Sequence, residues 1–194
     1  MALSSNLRGA LFMSLSMAGF TFNDSIVKLL TDHINVGQVM FLRGVVATLL
    51  IYLLARQRRA LRPIRVLADR WVGLRVVGEV GGTLTFLIGL SHIPLANASA
   101  ILQALPLAVT MGAAVFLSEP VGWRRWGAIL AGFAGVLIIV RPGLDGFSPY
   151  ALMIVGTVLF AAARDLATRK VNAAIPSLFL STITAAAVAI ASLV

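Results

Sequence analysis

Charged side chains lie inside long apolar stretches of this sequence, and three of them are the first candidates for chemistry. Asp24 lies six residues before the end of the first stretch, and Arg43 lies six residues after the start of the second. Glu79 lies in the third stretch, and Asn23 adds a neutral hydrogen-bonding group beside Asp24. Because a charge in hydrocarbon is costly, such residues indicate a site for a substrate, an ion or a proton.

Asp24 and Arg43 are predicted to face each other. Their two helices would be antiparallel neighbours, so the helical rise puts both side chains roughly 9 Å below the same membrane boundary. Two interpretations follow. The pair is a structural ion pair in which each charge offsets the burial of the other, or it is a substrate or proton site in which the pairing is exchanged during transport.

Glu79 and two amides are further candidates for binding or coupling. Arg75 precedes Glu79 by four residues, on the same helix face, and its long side chain can reach inward to neutralise the carboxylate. The alternative is that Glu79 takes part in proton coupling. Asn97 and Gln103 in the fourth stretch either orient a polar ligand or link helices by hydrogen bonds.

No residue pattern indicates catalysis, a metal or a cofactor. The sequence has no cysteine, which excludes disulfides and thiolate ligands, and its two histidines, His33 and His92, are far apart. A membrane-embedded transferase, the rival from another class, needs a nucleophile or base clustered near the headgroups. The candidates here are scattered, so we predict that the protein is not an enzyme.

Seven apolar stretches must position these residues, and they have about the length of membrane-spanning helices. Hydrophobic residues make up 59% of the chain and charged residues 12%, about half the charged share of a soluble domain. The stretches are residues 9–30, 37–55, 71–90, 95–117, 126–140, 150–167 and 177–194. We predict an all-α membrane protein, a polytopic helix bundle in contact with the lipid bilayer.

The basic residues are distributed asymmetrically. If the first stretch enters from the cytoplasm, 13 of the 16 Lys and Arg residues belong to the cytoplasmic side, Arg75 and Arg164 among them. Lys28 and Arg141 lie at outer ends, and Arg43 lies within a stretch. This positive-inside pattern predicts the cell inner membrane and a cytoplasmic N-terminus. The net charge of +9 then favours anchoring to anionic headgroups, and no nucleic acid is expected as a partner.

This topology makes a prediction for fusion proteins. Residues 1–8, 56–70, 118–125 and 168–174 should be cytoplasmic, and residues 141–149 should be outside. A fluorescent-protein fusion at Gln57 and a phosphatase fusion at Gly143 should both be active. An active periplasmic phosphatase fused at Gln57 would overturn the topology.

Small residues at intervals of four predict the faces on which helices pack, because they let backbones approach closely. Pro106 should also kink the fourth stretch, since it cannot donate a backbone hydrogen bond. The predicted faces are Ala96, Ala100, Ala104, Ala108 and Gly112; Gly78 with Gly82; Gly81, Thr85 and Gly89; and Gly127, Ala131 and Gly135.

The first and sixth stretches resemble each other when position 10 is aligned with position 151. Because five stretches separate the two copies, the second copy would be inverted in the membrane, as in transporters whose sites lie between inverted repeats. Arg164 and Asp165 would then be the counterpart of the outer site, and the position that matches Arg43 is Thr184. The matching pairs are Ala10 with Ala151, Leu11 with Leu152, Asp24 with Asp165, and Lys28 with Arg169.

Four segments between residues 9 and 170 resemble EamA-type members of the drug/metabolite transporter superfamily. The resemblance implies a fold of two inverted five-helix repeats and the function of a secondary transporter, a permease for a small polar metabolite working by alternating access. Residues 1–143 would be the first repeat and residues 144–194 the start of the second. The segments are LSEPVGWRRWGAILAGFAGVLIIVRPG, NDSIVKLL, FLRG and IPLANASAILQALPL.

The resemblance also implies ten helices, of which this sequence supplies five plus two. The alternative hypothesis is therefore a truncated fragment of such a transporter, one that inserts into the membrane but does not transport alone. A homodimer whose partners supply the missing helices would be the exception.

Overall fold

The computed structural model describes residues 5–31, 33–63, 68–141 and 147–193, which form eight α-helices and no strand. Six segments are long and apolar enough to cross a membrane when α4 and α5 are taken as one, and α8 is a shorter apolar helix. The predicted all-α polytopic membrane protein is confirmed. The helices are Ser5–Thr31 (α1), Val36–Gln57 (α2), Arg70–His92 (α3), Leu95–Leu102 (α4), Leu105–Leu117 (α5), Trp123–Val140 (α6), Pro149–Lys170 (α7) and Ser177–Ala191 (α8).

Side-chain caps define where α2 and α3 begin. Asn35 accepts a hydrogen bond from the backbone N–H of Gly37 at 2.8 Å, and Asp69 accepts one from the backbone N–H of Trp71 at 2.8 Å. Each side chain satisfies one of the N–H groups that the first turn of a helix leaves unpaired.

Lys28 caps the opposite end of α3. Its Nζ donates to the carbonyl oxygens of Leu90 at 2.7 Å and Ser91 at 3.2 Å. A cation at this position satisfies carbonyls that lack an intrahelical partner and interacts favourably with the negative end of the helix dipole. The contact also joins the C-terminal ends of α1 and α3.

The fourth apolar stretch is broken near Pro106, as predicted. Helix α4 ends at Leu102, and Gln103 and Ala104 form a turn before α5 begins. Pro106 lies in the first turn of α5, where its missing N–H removes no helical hydrogen bond.

Helices α3 and α7 form the most extensive helix pair in the described chain. A methyl group at Gly78 would lie 2.8 Å from Cβ of Arg164 and 2.8 Å from the carbonyl oxygen of Phe160. The hydroxyls of Thr85 and Thr157 hydrogen-bond across the same interface at 2.9 Å. The glycines therefore allow close backbone contact, and the predicted packing face of α3 is confirmed.

The small-residue face predicted on α6 is wrong as a packing face within the described residues. Apart from neighbouring residues and the backbone of α6 itself, no described atom lies within 4 Å of a methyl group added at Gly127 or Gly135, and Ala131 is exposed. Helix α6 packs on α4 and α5 through a neighbouring face, where Ile129 is buried and a side chain at Gly132 would collide with α5. Small-residue spacing shows how closely two helices can approach, but burying larger apolar side chains decides which face is used.

The remaining helices differ in how closely they pack against the bundle. Helix α8 packs along α2, and Gly44 lies against Ala189, whose Cα would be 2.9 Å from a methyl group at Gly44. Helix α1, in contrast, is almost entirely exposed: only 6% of its most apolar segment is buried. The four helices α2, α3, α7 and α8 therefore form the part of the bundle that positions the candidate site.

Candidate substrate cavity

A cavity of about 340 Å³ lies between α2, α3, α7 and α8. Its volume falls within the range of about 300–1,000 Å³ found for small-molecule sites. Its lining combines apolar residues with seven polar or charged ones, namely Arg43, Arg75, Glu79, Thr83, Arg164, Ser181 and Thr184. Of the six residues predicted from sequence as a binding or coupling site, Arg43 and Glu79 line this cavity.

Arg164 joins two carboxylates at the wall of the cavity. Its Nη1 lies 3.3 Å from Oε2 of Glu79, and its Nη2 lies 2.8 Å from Oδ1 of Asp165. Its Nε also donates to the same Asp165 oxygen at 2.8 Å. Arg164 therefore bridges α3 and α7 through charge-assisted hydrogen bonds.

The salt-bridge partner of Glu79 is Arg164, which corrects the predicted pairing with Arg75. Arg75 instead donates to the hydroxyl of Thr168, and its Nε is buried without a partner among the described residues. The close crossing at Gly78 brings Arg164 beside Glu79, and spacing along one helix cannot reveal a neighbour on another. Both arginines also lie within membrane-spanning helices, although the charge pattern assigns them to the cytoplasmic side.

Arg43 lines the cavity, whereas Asp24 and Asn23 do not. The amide of Asn23 donates to Oδ1 of Asp24 at 3.0 Å, and Arg43 interacts with Asp24 electrostatically. The salt bridges found in the described ranges involve Arg164 and Arg169. Arg43 thus has its counter-charge nearby but not in direct contact.

We predict that Asp24 and Arg43 are energetically coupled. Replacing either one alone (Asp24→Asn or Arg43→Gln) should lower the free energy of unfolding more than replacing both, because a lone charge in the membrane is the least favourable state. A double-mutant cycle on the purified chain should give a coupling energy of about 0.5–3 kcal/mol. A value near zero would show that the two side chains respond to different neighbours.

Asn97 and Gln103 lie apart from the cavity. Asn97 is on α4 and Gln103 is in the turn that follows it, and both are exposed. The structure therefore does not bring them together with Arg43 and Glu79, and their role in binding stays a prediction.

Three hydroxyl residues of the cavity were not proposed as ligands from sequence. Ser and Thr in apolar helices often hydrogen-bond to their own backbone, as Thr184 does to the carbonyl of Ser181 at 3.1 Å. Their presence in a sequence therefore does not indicate a binding site. The position of Thr83 could have been recognised from the sequence, because it follows Arg75 and Glu79 at intervals of four residues. Such spacing places all three on one helix face.

The two sides of the cavity contributed by α2 and α8 match in the alignment that pairs position 10 with position 151. All four α8 lining residues are the partners of α2 lining residues in that alignment: Met40 with Ser181, Arg43 with Thr184, Gly44 with Ala185, and Ala47 with Val188. The same alignment relates the Asn23–Asp24 hydrogen bond to the Arg164–Asp165 hydrogen bond. The weak sequence similarity between the two stretches thus agrees with the matching positions of α2 and α8 residues in the cavity.

The EamA-like transporter family matches residues 7–141, more than half of the chain. The chain belongs to the EamA-like transporter family. The resemblance to EamA-type drug/metabolite transporters is thereby confirmed, and the EamA family is one of transporters and not of enzymes.

Curated relatives of this EamA-family chain are named as transporters. A pseudopaline exporter of Pseudomonas aeruginosa is 31% identical over 81% of this chain and 56% of the relative. A riboflavin transporter of Vibrio cholerae is 29% identical over 86% of this chain and 57% of the relative. An S-adenosylmethionine uptake transporter of Rickettsia prowazekii is 25% identical over 87% and 57%. The chain therefore spans about half the length of these relatives. No solved structure matches it significantly.

Proposed function

We propose that this chain forms the substrate path of an inner-membrane secondary transporter, a permease that moves a small polar metabolite by alternating access between inverted repeats. The observation that carries the proposal is the cavity of about 340 Å³ with charged and hydroxyl side chains inside an apolar bundle. Helices α2 and α3 would belong to the first repeat, residues 1–143, and α7 and α8 to the second, residues 144–194. Transporters with inverted repeats bind their substrates at such an interface.

Two further observations support this function. The constant alignment offset that relates the α2 and α8 linings is what two copies of one repeat would produce. The relatives are named for different small molecules, pseudopaline, riboflavin and S-adenosylmethionine, so the family shares transport while the substrate varies.

The proposed orientation has a cytoplasmic N-terminus. Arg70 lies over the ring of Trp71 at 4.8 Å, and Arg124 lies over the ring of Trp123 at 5.5 Å. Both contacts lie at helix starts that the charge pattern assigns to the cytoplasmic boundary. Tryptophan and arginine are enriched at this interface, so the contacts support the assignment.

A binding screen on the purified chain tests the function. The chain is placed in lipid nanodiscs, and its Tm is measured against a library of small polar solutes. A solute that binds the folded state raises apparent stability, by about 2.7 kcal/mol at 100 times its Kd. We expect at least one solute class to raise Tm.

Counterflow in proteoliposomes then tests transport with the solutes that bind. We expect exchange of at least one solute that binds. A folded chain that no solute stabilises, and that exchanges none, would contradict the proposed function.

A further inference from the structure

We infer that the metabolite bound in this cavity carries a carboxylate or phosphate group, and that Arg43 contacts that group. The inference rests on the proposed transport function and names the substrate class for the same cavity. It follows from the charge of the lining, from the absence of a hydrogen bond or salt bridge to Arg43 in the described residues, and from the unpaired hydroxyls of the same cavity.

The charged lining is mostly cationic. Arg43, Arg75 and Arg164 contribute three guanidinium groups, and Glu79 contributes one carboxylate. When Asp165 is added as the second partner of Arg164, the group of five still carries a net positive charge. The lining itself therefore favours an anionic solute over a cationic one, while Asp24 opposes this from outside the lining.

The carboxylates of this group are already bound. Glu79 and Asp165 both contact Arg164, so the charge of each carboxylate is already partly neutralised. A cationic substrate would have to share one of them with Arg164. An anionic substrate needs no such sharing.

Arg43, in contrast to these carboxylates, has no bonded partner among the described residues. In the described part of the chain no salt bridge or hydrogen bond reaches its guanidinium, and Asp24 acts on it only through space. A guanidinium presents five N–H donors in a planar fork that matches carboxylate and phosphate oxygens. An unpaired cation inside a membrane bundle is costly, and a bound oxyanion would supply its missing partner.

Two hydroxyls in the same cavity fit the same ligand. Thr83 and Ser181 line the cavity, and no hydrogen bond from either hydroxyl is seen in the described ranges. Each hydroxyl can donate one hydrogen bond to an oxyanion. Their positions on α3 and α8 would let a ligand contact helices of both proposed repeats.

The experiment measures the Tm of the 194-residue chain in phosphatidylcholine nanodiscs. The probes are acetate, succinate, citrate and inorganic phosphate, with choline as a cationic control and ribose as a neutral control. We expect one or more of the anions to raise Tm in a saturable manner, with little effect of choline or ribose. The same titration in phosphatidylglycerol nanodiscs distinguishes a soluble anion from a lipid headgroup.

Matched variants locate the site. Arg43→Gln should weaken anion binding by about 10-fold to 100-fold, as expected for loss of a charged hydrogen bond, and Arg43→Lys should retain part of it. Arg56→Gln removes the same charge from an exposed position on the same helix and should leave binding unchanged. Asp24→Asn removes the competing negative charge and should strengthen binding.

Four results would overturn the inference. Stabilisation by choline or ribose but by no anion would reject the anionic class and leave the transport function standing. Equal losses in Arg43→Gln and Arg56→Gln would reject the role of Arg43. Stabilisation by phosphatidylglycerol but by no soluble anion would assign the cavity to lipid. No stabilisation by any solute or lipid would reject the transport function as well.

Discussion

Replacing Arg164 with glutamine should lower the free energy of unfolding of this chain by about 3 kcal/mol. The variant would leave the carboxylates of Glu79 and Asp165 without the guanidinium that lies 3.3 Å and 2.8 Å from them. Removing one partner of a buried ion pair costs about 3–5 kcal/mol. The side chains of Arg164 and Glu79 are 27% and 28% exposed, so we expect a value at the lower end.

Equilibrium unfolding in detergent, followed by helical circular dichroism, measures this effect. Arg169→Gln is the matched control, because Arg169 lies on the same helix and pairs with Glu119 at 3.1 Å in an exposed position. Exposed pairs contribute about 0–1 kcal/mol. Adding Glu79→Gln to Arg164→Gln should recover part of the loss. Equal effects of the two arginine variants would show that Arg164 has no special structural role.

Replacing Gly78 with alanine should destabilise the pairing of α3 with α7. The added methyl group would lie 2.8 Å from both Cβ of Arg164 and the carbonyl oxygen of Phe160. Because one of these atoms is backbone, the helices themselves must move apart, and overpacking of this kind costs about 1–3 kcal/mol. The larger Gly78→Leu should cost more and should also separate Glu79 from Arg164.

Gly73→Ala is the control for this substitution. Gly73 lies on the same helix, and no described atom is within 4 Å of the added methyl group. Alanine is the better helix former by about 1 kcal/mol, so this variant should be neutral or stabilising. The two glycine variants should therefore change the midpoint of unfolding in opposite directions. A loss of stability in Gly73→Ala as large as that in Gly78→Ala would contradict the packing argument.

The helices were predictable from the sequence because the bilayer sets their length and apolar composition. The break near Pro106 was also predictable, since the missing N–H is a local property.

The candidate site was predictable only in part. Arg43 and Glu79 were identifiable because a charge inside an apolar stretch is conspicuous in any sequence. The salt bridge of Glu79 with Arg164 joins residues 85 positions apart, and it depends on how α7 crosses α3. The packing face of α6 was not predictable for the same reason. The spacing of small residues is compatible with several helix contacts, and tertiary packing decides which of them forms.

Two repeat-related pairs, one within the cavity and one that reaches it from one repeat only, are unequal in charge, and this has a consequence for the resting conformation. Under the proposed inverted repeat, Arg43 corresponds to Thr184 and Arg164 corresponds to Asn23, so each pair has an arginine in one repeat and a neutral residue in the other. Two identical repeats would make the inward-open and outward-open states equal in energy. Two unmatched guanidinium groups remove that equality, and a difference of about 1.4 kcal/mol changes the ratio of the two populations tenfold. Under the proposed function, these two arginines would therefore contribute to the side of the membrane to which the empty protein opens.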